Sequence, residues 1–187
     1  MKKKLIVMTL MFLSLNLAGC FSRNVASDLR DVTVEKEHIS IKIPRAWLPL
    51  DAKDLGSSLE NVLVSYVDTT IVDGYSPSIV VLKEGIPDNT TAYDYGKAAI
   101  YKTSREMIEY IKLEEKEAEI TDETGKKYRM IYQIFQGKER RLQNRLTYIQ
   151  GYVTKGATGY TITIGLPVAE KGYGAYESIV KSFHFTK

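Results

Sequence analysis

The chain has 187 residues, 44% of them apolar and 10% aromatic, which excludes disorder and is enough for one domain with a real core. Its 26 basic and 23 acidic residues give a net charge of +3, and Lys2, Lys3 and Lys4 account for that whole excess, so the chain from residue 20 onward is balanced and presents no global field to nucleic acid. Cys20 is the only cysteine, so the chain beyond it has no disulfide, catalytic thiol or thiolate metal site, and its stability must come from packing.

The first twenty residues read as a label and not as structure. Three lysines precede the apolar run from Leu5 to Leu17, and the small residues Ala18 and Gly19 follow it. A spanning helix needs about 20 apolar residues, and this run is shorter and broken by Thr9, Ser14 and Asn16. Residues 1–19 are therefore expected to be a signal peptide. Leu17-Ala18-Gly19-Cys20 resembles a bacterial lipobox. The resemblance implies cleavage before Cys20, a thioether-linked diacylglycerol on its sulfur and an acylated amine, and two or more acyl chains make a stable anchor. It also implies a membrane-anchored protein of the bacterial cell envelope. Because Phe21 and not Asp follows Cys20, the outer membrane facing the periplasm is expected in a Gram-negative cell. Residues 20–31 then form a lipidated tether, and 32–187 a single domain.

Within the domain, Val32 to Glu35 suits a short strand, and Ile39, Ile41 and Ile43 alternate with Ser40 and Lys42 as a half-buried strand that Pro44 ends. Trp47, the only tryptophan, is expected to plug the core at the strand's exit, with ligand stacking as its alternative. Residues 62–67 and 78–82 are β-rich and flank the turn-prone segment Asp73 to Pro77. The period then changes: Ala92, Gly96, Ala99, Ile100, Thr103, Met107 and Ile111 predict a helix over 91–111, with Thr91 and Asp94 as a capping box.

From Lys116 to Gly165 the pattern is an antiparallel meander. A loop of Glu123, Thr124 and Gly125 sets Ala118 opposite Met130 and Ile120 opposite Tyr128. The second hairpin is expected to pair Tyr128 with Tyr148, Met130 with Leu146 and Ile134 with Leu142. The third sets Tyr152 near Tyr160 and Tyr148 near Ile164. Residues 168–181 predict a second helix with Tyr176, Ile179 and Val180 inward, and 182–185 finish extended. The fold class is α+β: a curved antiparallel sheet with a long helix and a C-terminal helix packed on it.

The strand ending in Pro44-Arg45-Ala46-Trp47, the helix, the meander with Gly159-Tyr160-Thr161-Ile162-Thr163-Ile164, and the ending Ile179-Val180-Lys181-Ser182-Phe183 resemble the PsbP-like superfamily, an α/β/α sandwich. Within it the likeness is to DcrB-type bacterial envelope lipoproteins. That superfamily holds a photosystem II extrinsic subunit and a Ran-binding import factor, which implies a scaffold used for docking. Fold does not fix function.

The residues name no reaction. GxSxG, Walker, His-Glu-x-x-His and dinucleotide motifs are absent, so no catalytic residue, cofactor or metal ligand is expected. His38 and His184 lie outside any ligand or general-base pattern and are read as exposed strand residues. Glu114, Glu115, Glu117 and Glu119 read as a solvated acidic run. Tyr128, Tyr132, Tyr148, Tyr152 and Tyr160 fall on one face in the expected register, read as core with hydroxyls at the rim.

On the opposite face that register gathers Arg129, Gln133, Arg141, Gln143 and Arg145, with Arg145 opposite Ile131 and Arg141 opposite Phe135. Arginine forks bind carboxylate or phosphate bidentately, so these five make a candidate docking face. The competing reading is a solvated sheet face paired with Glu117 and Glu119. The expected function is a noncatalytic accessory or binding protein, held at the membrane by its N-terminal lipid and docking to an envelope protein or an anionic envelope component. The alternative is a small-ligand binding module or hydrolase with its site between the sheet and loop 68–78.

Overall fold

The computed structural model describes residues 28–34, 37–51, 61–170 and 172–187. Leu17, Ala18, Gly19 and Cys20, and the expected tether through residue 27, lie outside the described residues.

Strands β1 (Leu29–Val34), β2 (Ile39–Pro44) and β10 (His184–Phe185) form a small sheet with β2 in the middle. A seven-stranded sheet contains β3 (Leu48–Pro49), β4 (Val62–Val67), β5 (Ser78–Gly85), β6 (Ile108–Thr121), β7 (Lys127–Lys138), β8 (Leu146–Lys155) and β9 (Thr158–Pro167), in the order β3-β4-β5-β9-β8-β7-β6. All pairs are antiparallel. Helix α1 (Ala92–Glu106) packs on β7 and β8, and α2 (Tyr173–Lys181) packs on the other face beside β2. The architecture is α+β, as expected.

Each element follows from local chemistry. Thr91 caps α1, its hydroxyl accepting from Asp94 N at 3.1 Å and donating to Asp94 Oδ2 at 2.6 Å, and Asp94 complements the helix dipole. The helix presents Gly96 to the sheet, because a Cβ there would stand 2.8 Å from Ile131 Cβ. It ends at Glu106, with Met107 already extended, and the β-branched and aromatic Ile108 and Tyr110 continue as β6. The expected helix was therefore too long: Ile111 belongs to a strand. Likewise α2 starts at Tyr173 and not at 168, with Tyr176, Ile179 and Val180 buried as expected. Strand β1 begins at Leu29, so residues 29–31 belong to the domain and not to a tether.

The small sheet packs the isoleucines of β2 and Phe185 of β10 into the core that the seven-stranded sheet and α2 supply for the most part. Ile39, Ile41 and Ile43 are fully buried, and Ser40 is buried too, leaving only Lys42 of β2 exposed. The isoleucine face is core and the other face carries the exposed Lys42, the half-buried alternation expected, with Ser40 covered by its neighbours. Trp47 is 1% exposed against Tyr176, ring centroids 6.5 Å apart, which is the core-plug role.

The first meander hairpin has the expected register, Ala118 opposite Met130 and Ile120 opposite Tyr128, because Gly125 takes the left-handed conformation (φ 83°) that its turn requires. The second does not. Met130 faces Val153 and Ile134 faces Ile149, seven residues on from the expected Leu146 and Leu142, and residues 139–145 form a loop. An odd displacement reverses every side chain of β8 relative to β7. Arg145 is therefore not opposite Ile131, nor Arg141 opposite Phe135. The third hairpin is one residue off: Tyr152 faces Thr161, and Tyr148 faces Gly165.

Those shifts split the tyrosines. Tyr128 and Tyr160 join the core under the small sheet, and Tyr132 reaches Glu177 of α2 at 2.9 Å. Tyr152 and Tyr148 lie on the α1 face, in separate clusters with Ile131 and with Phe135. Strand β7 is covered on both sides, so Met130 through Phe135 are all buried. Between the two α1-face clusters runs a ladder of neutral polar groups. Tyr110 Oη donates to Gln133 Oε1 (2.8 Å), Gln133 Nε2 to Tyr152 Oη (3.0 Å), and Gln150 Nε2 to Thr163 Oγ1 (3.1 Å). Burial raises the Tyr152 phenol to about 12, so it stays protonated and keeps donating to Gln150 Oε1 at 2.6 Å.

At the sheet's edge, β6 is interrupted between Ile108 and Ile111 and between Lys112 and Glu114, and Glu109 is left-handed (φ 55°). Its acidic run is laced with cations: Glu114 pairs with Lys116, Glu115 with Lys97 and Lys112, Glu117 with Arg129, and Glu119 with Lys127. That is the solvated face read from the sequence.

Candidate functional site

The five residues of the expected docking face do not share a face. Arg129 is exposed near the β6–β7 turn, 3.5 Å from Glu117. Gln133 is fully buried under α1, in the polar ladder. Arg141 and Gln143 lie in loop 139–145, and Arg145 enters β8 beside it. Leu146, the next residue, faces Gly137, so Arg129 and Arg145 are separated by eight residues of β7, about 26 Å. The physical reason is the register: loop 139–145 has an alternating pattern that imitates a strand, and the true strand starts after it.

The structure instead sets two ends of the sheet against each other. At one end, called here the turn end, lie the β6–β7 and β8–β9 turns, His38, and the last residues, 186–187. Asp122 gathers the β6–β7 turn, accepting from Thr124 Oγ1 (2.6 Å), Thr124 N (2.8 Å), Lys126 N (3.0 Å) and Tyr128 Oη (3.1 Å). These donors, Thr124's hydroxyl foremost, hold its carboxyl down to about 2.

On the outer face of the small sheet, a depression of about 590 Å³ is lined by His38, His184, Asp31, Glu123 and Lys187 among others. The register explains the meeting of the two histidines: His184 faces Ser40, and Thr186 N bonds to His38 O at 2.9 Å, so both side chains fall on one face of adjacent strands. Each ring is fixed through Nδ1, His38 to the backbone oxygen of Lys187 (2.6 Å) and His184 to that of Ser182 (3.0 Å). Backbone oxygens can only accept, so each Nδ1 is the donor in these contacts. Neither imidazole is hydrogen-bonded to an Asp or Glu side chain among the described residues. Among the described residues no three His, Cys, Asp or Glu are grouped to hold a metal ion.

The other end, the loop end, is built from loop 68–77, loop 139–145 and the segment after Pro167. They meet there because Ser78 faces Gly165, Pro167 faces Leu146, and Leu146 faces Gly137. Asn144 Nδ2 ties two of the loops together, donating to Asp73 O at 3.1 Å. A cleft of about 490 Å³ opens between them, lined by Asp73, Tyr75, Asn144, Arg145, Leu146, Pro167 and Val168. This is the place the alternative reading assigned, between the sheet and loop 68–78.

Arg145 sits in it with one nitrogen committed and one not. Nη2 donates to Glu109 Oε2 at 2.6 Å, while Nε is buried without a partner among the described residues. Lys138 and then Arg145 hold the Glu109 carboxyl below the ordinary range, so the pair stays ionised. Burial, above all, raises the Tyr75 phenol in the same cleft. The titratable groups of the lining are Asp73, Tyr75 and Arg145.

The same end carries what sequence reasoning missed. Leu142, expected in the core opposite Ile134, is fully exposed at 101%, Ile71 is 70% exposed and Val168 40%. Arg140 and Arg141 are exposed without a carboxylate partner among the described residues. The signal was present in charge density: Lys138 to Arg145 holds four cations against one acid, Glu139. The described chain also starts here. Asp28 O accepts from Arg45 N, and Arg30 donates to Trp47 O at 2.8 Å and lies over the Tyr66 ring, one residue before the end of β4. No helix among the described residues is long and apolar enough to cross a membrane.

Solved structures share this architecture. CyanoP, the cyanobacterial PsbP of Synechocystis sp. PCC 6803, matches with a TM-score of 0.54 at 18% identity, over 90% of this chain and 98% of that one. A Pseudomonas aeruginosa protein of unknown function matches with a TM-score of 0.54 at 11% identity, over 83% of this chain and 95% of that one. No protein-family model and no curated protein matches the chain. The chain thus has a PsbP-like fold, and neither neighbour is described as an enzyme.

Proposed function

We propose that the protein is a noncatalytic accessory of the bacterial envelope, of the DcrB-like lipoprotein kind, anchored through lipid on Cys20 and docking to another envelope component through its loop end. In a Gram-negative cell it would face the periplasm from the outer membrane. The observation that carries this reading is the composition of the loop end: two arginines without acid partners among the described residues and three exposed aliphatic side chains, at the end where the described chain begins with Asp28. The PsbP-like fold supports it only as a scaffold.

Fractionation of cells expressing Cys20→Ser tests the anchor. The variant should leave the membrane pellet for the soluble fraction, and its retention in the pellet would count against the lipid anchor.

The cleft at Arg145 favours a second reading, a small-ligand binding module for an anionic group that the Arg145 guanidinium would meet. Thermal-shift screening with small carboxylates and phosphates, repeated on Arg145→Gln, checks it: a shift lost in the variant supports a ligand, and no shift with either chain removes it.

A further inference from the structure

Loop 139–145 reads Glu139-Arg140-Arg141-Leu142-Gln143-Asn144-Arg145. Its acid is engaged, Glu139 accepting from Tyr148 Oη at 3.2 Å, and Arg145 is held by Glu109 at 2.6 Å. The charges left facing outward are Arg140 and Arg141, and the residue that follows them is the fully exposed Leu142. One exposed leucine is ordinary. Here the aliphatic tips Leu142, Ile71 and Val168 come from three separate segments and share one end of the molecule with two exposed guanidinium groups that have no carboxylate partner among the described residues.

Aliphatic tips beside unpaired arginines are complementary to an anionic bilayer surface. The apolar groups enter the boundary between headgroups and acyl chains, and the guanidinium forks meet lipid phosphates. Chain reach gives an independent argument. Cys20 is eight residues before Asp28, and a chain extends at most about 3.6 Å per residue, so an acylated Cys20 keeps Asp28 within about 29 Å of the bilayer. Asp28 stands at the loop end, so the anchor lets this end reach the lipid.

We propose that the loop end rests on anionic lipid, with Leu142 inserted at the headgroup boundary and Arg140 and Arg141 on lipid phosphates. This rests on the accessory reading and names its docking partner as the bilayer surface itself.

The test uses the full acylated chain, reconstituted in vesicles of phosphatidylglycerol with phosphatidylcholine or of phosphatidylcholine alone. An environment-sensitive fluorophore is placed at Leu142→Cys, or at Thr124→Cys in the turn end, Cys20 being blocked by its lipid. The label at 142 should shift to the blue and be quenched by spin-labelled lipid in the anionic vesicles only, while the label at 124 stays in water in both. Adding Arg140→Ser and Arg141→Ser should move the inserted-to-free ratio of the 142 label roughly 30-fold toward water, from about a factor of five for each basic residue at an anionic surface. A 142 label that remains in water on both vesicles overturns the proposal, as does equal insertion into neutral lipid. If Cys20→Ser still releases the chain from native membranes in that case, the anchored accessory stands and the bilayer contact alone falls.

Discussion

At the turn end the hairpins close in two or three residues and nearly every polar group has a partner: four donors on Asp122, a backbone oxygen on each histidine, Glu123 on Lys187 N. At the loop end the same strands are joined by long segments, a guanidinium nitrogen is buried without a partner among the described residues, and aliphatic side chains face solvent. The histidines, which chemistry would mark first, stand at the satisfied end. Unmatched groups are what a binding surface offers, so the contrast points to the loops and away from the imidazoles.

The contrast breaks if the loop end is merely an ill-packed end. Trp47, buried on Tyr176 just before β3, tests that. Trp47→Ala should cost about 3–5 kcal/mol in urea unfolding followed by circular dichroism; a cost under about 1 kcal/mol would mean that no full core underlies the loops. A smaller effect sharpens the turn end. The Asp122 carboxyl lies near 2 in the folded chain, below about 3.9 in the unfolded one, so its stabilisation is complete above pH 4 and is lost as pH falls toward 2. Asp122→Asn should therefore unfold at lower urea than the parent at pH 6, with the gap closing between pH 4 and pH 2. A gap independent of pH would show that the carboxylate charge does not hold the turn. The least effect belongs to the loop tip. Leu142→Ser should change stability by no more than about 0.5 kcal/mol, and a larger loss would reveal packing that its full exposure denies.

Much of the fold was legible where one residue fixes geometry. Gly125 set the first hairpin to the residue, Thr91 and Asp94 marked the helix start, and Pro44 ended β2. Reading failed where a pattern had two physical sources. Met107 and Ile111 continue the helical spacing by chance, although Met107 is already extended. Loop 139–145 has neither glycine nor proline, and its alternation of Arg141, Gln143 and Arg145 with Leu142 and Asn144 imitates a strand, so the second register slipped by seven. The candidate face fell with that register. The near-continuous apolar run Met130 to Phe135 was the available correction, since a strand so built is covered on both faces and leaves no side for an exposed Gln133. The joining of the loops at one end depended on strand order, which no local pattern encodes.

The interrupted, ion-paired edge of β6 has a consequence for how many copies of such a domain can share one surface. Proteins confined to two dimensions meet each other often and in similar orientations, the conditions under which a free strand edge recruits its twin. Two breaks in the ladder and seven charged side chains along 14 residues make that edge a poor template. Anchored as proposed, copies in a crowded layer would meet at a β6 edge that does not zip one onto the next.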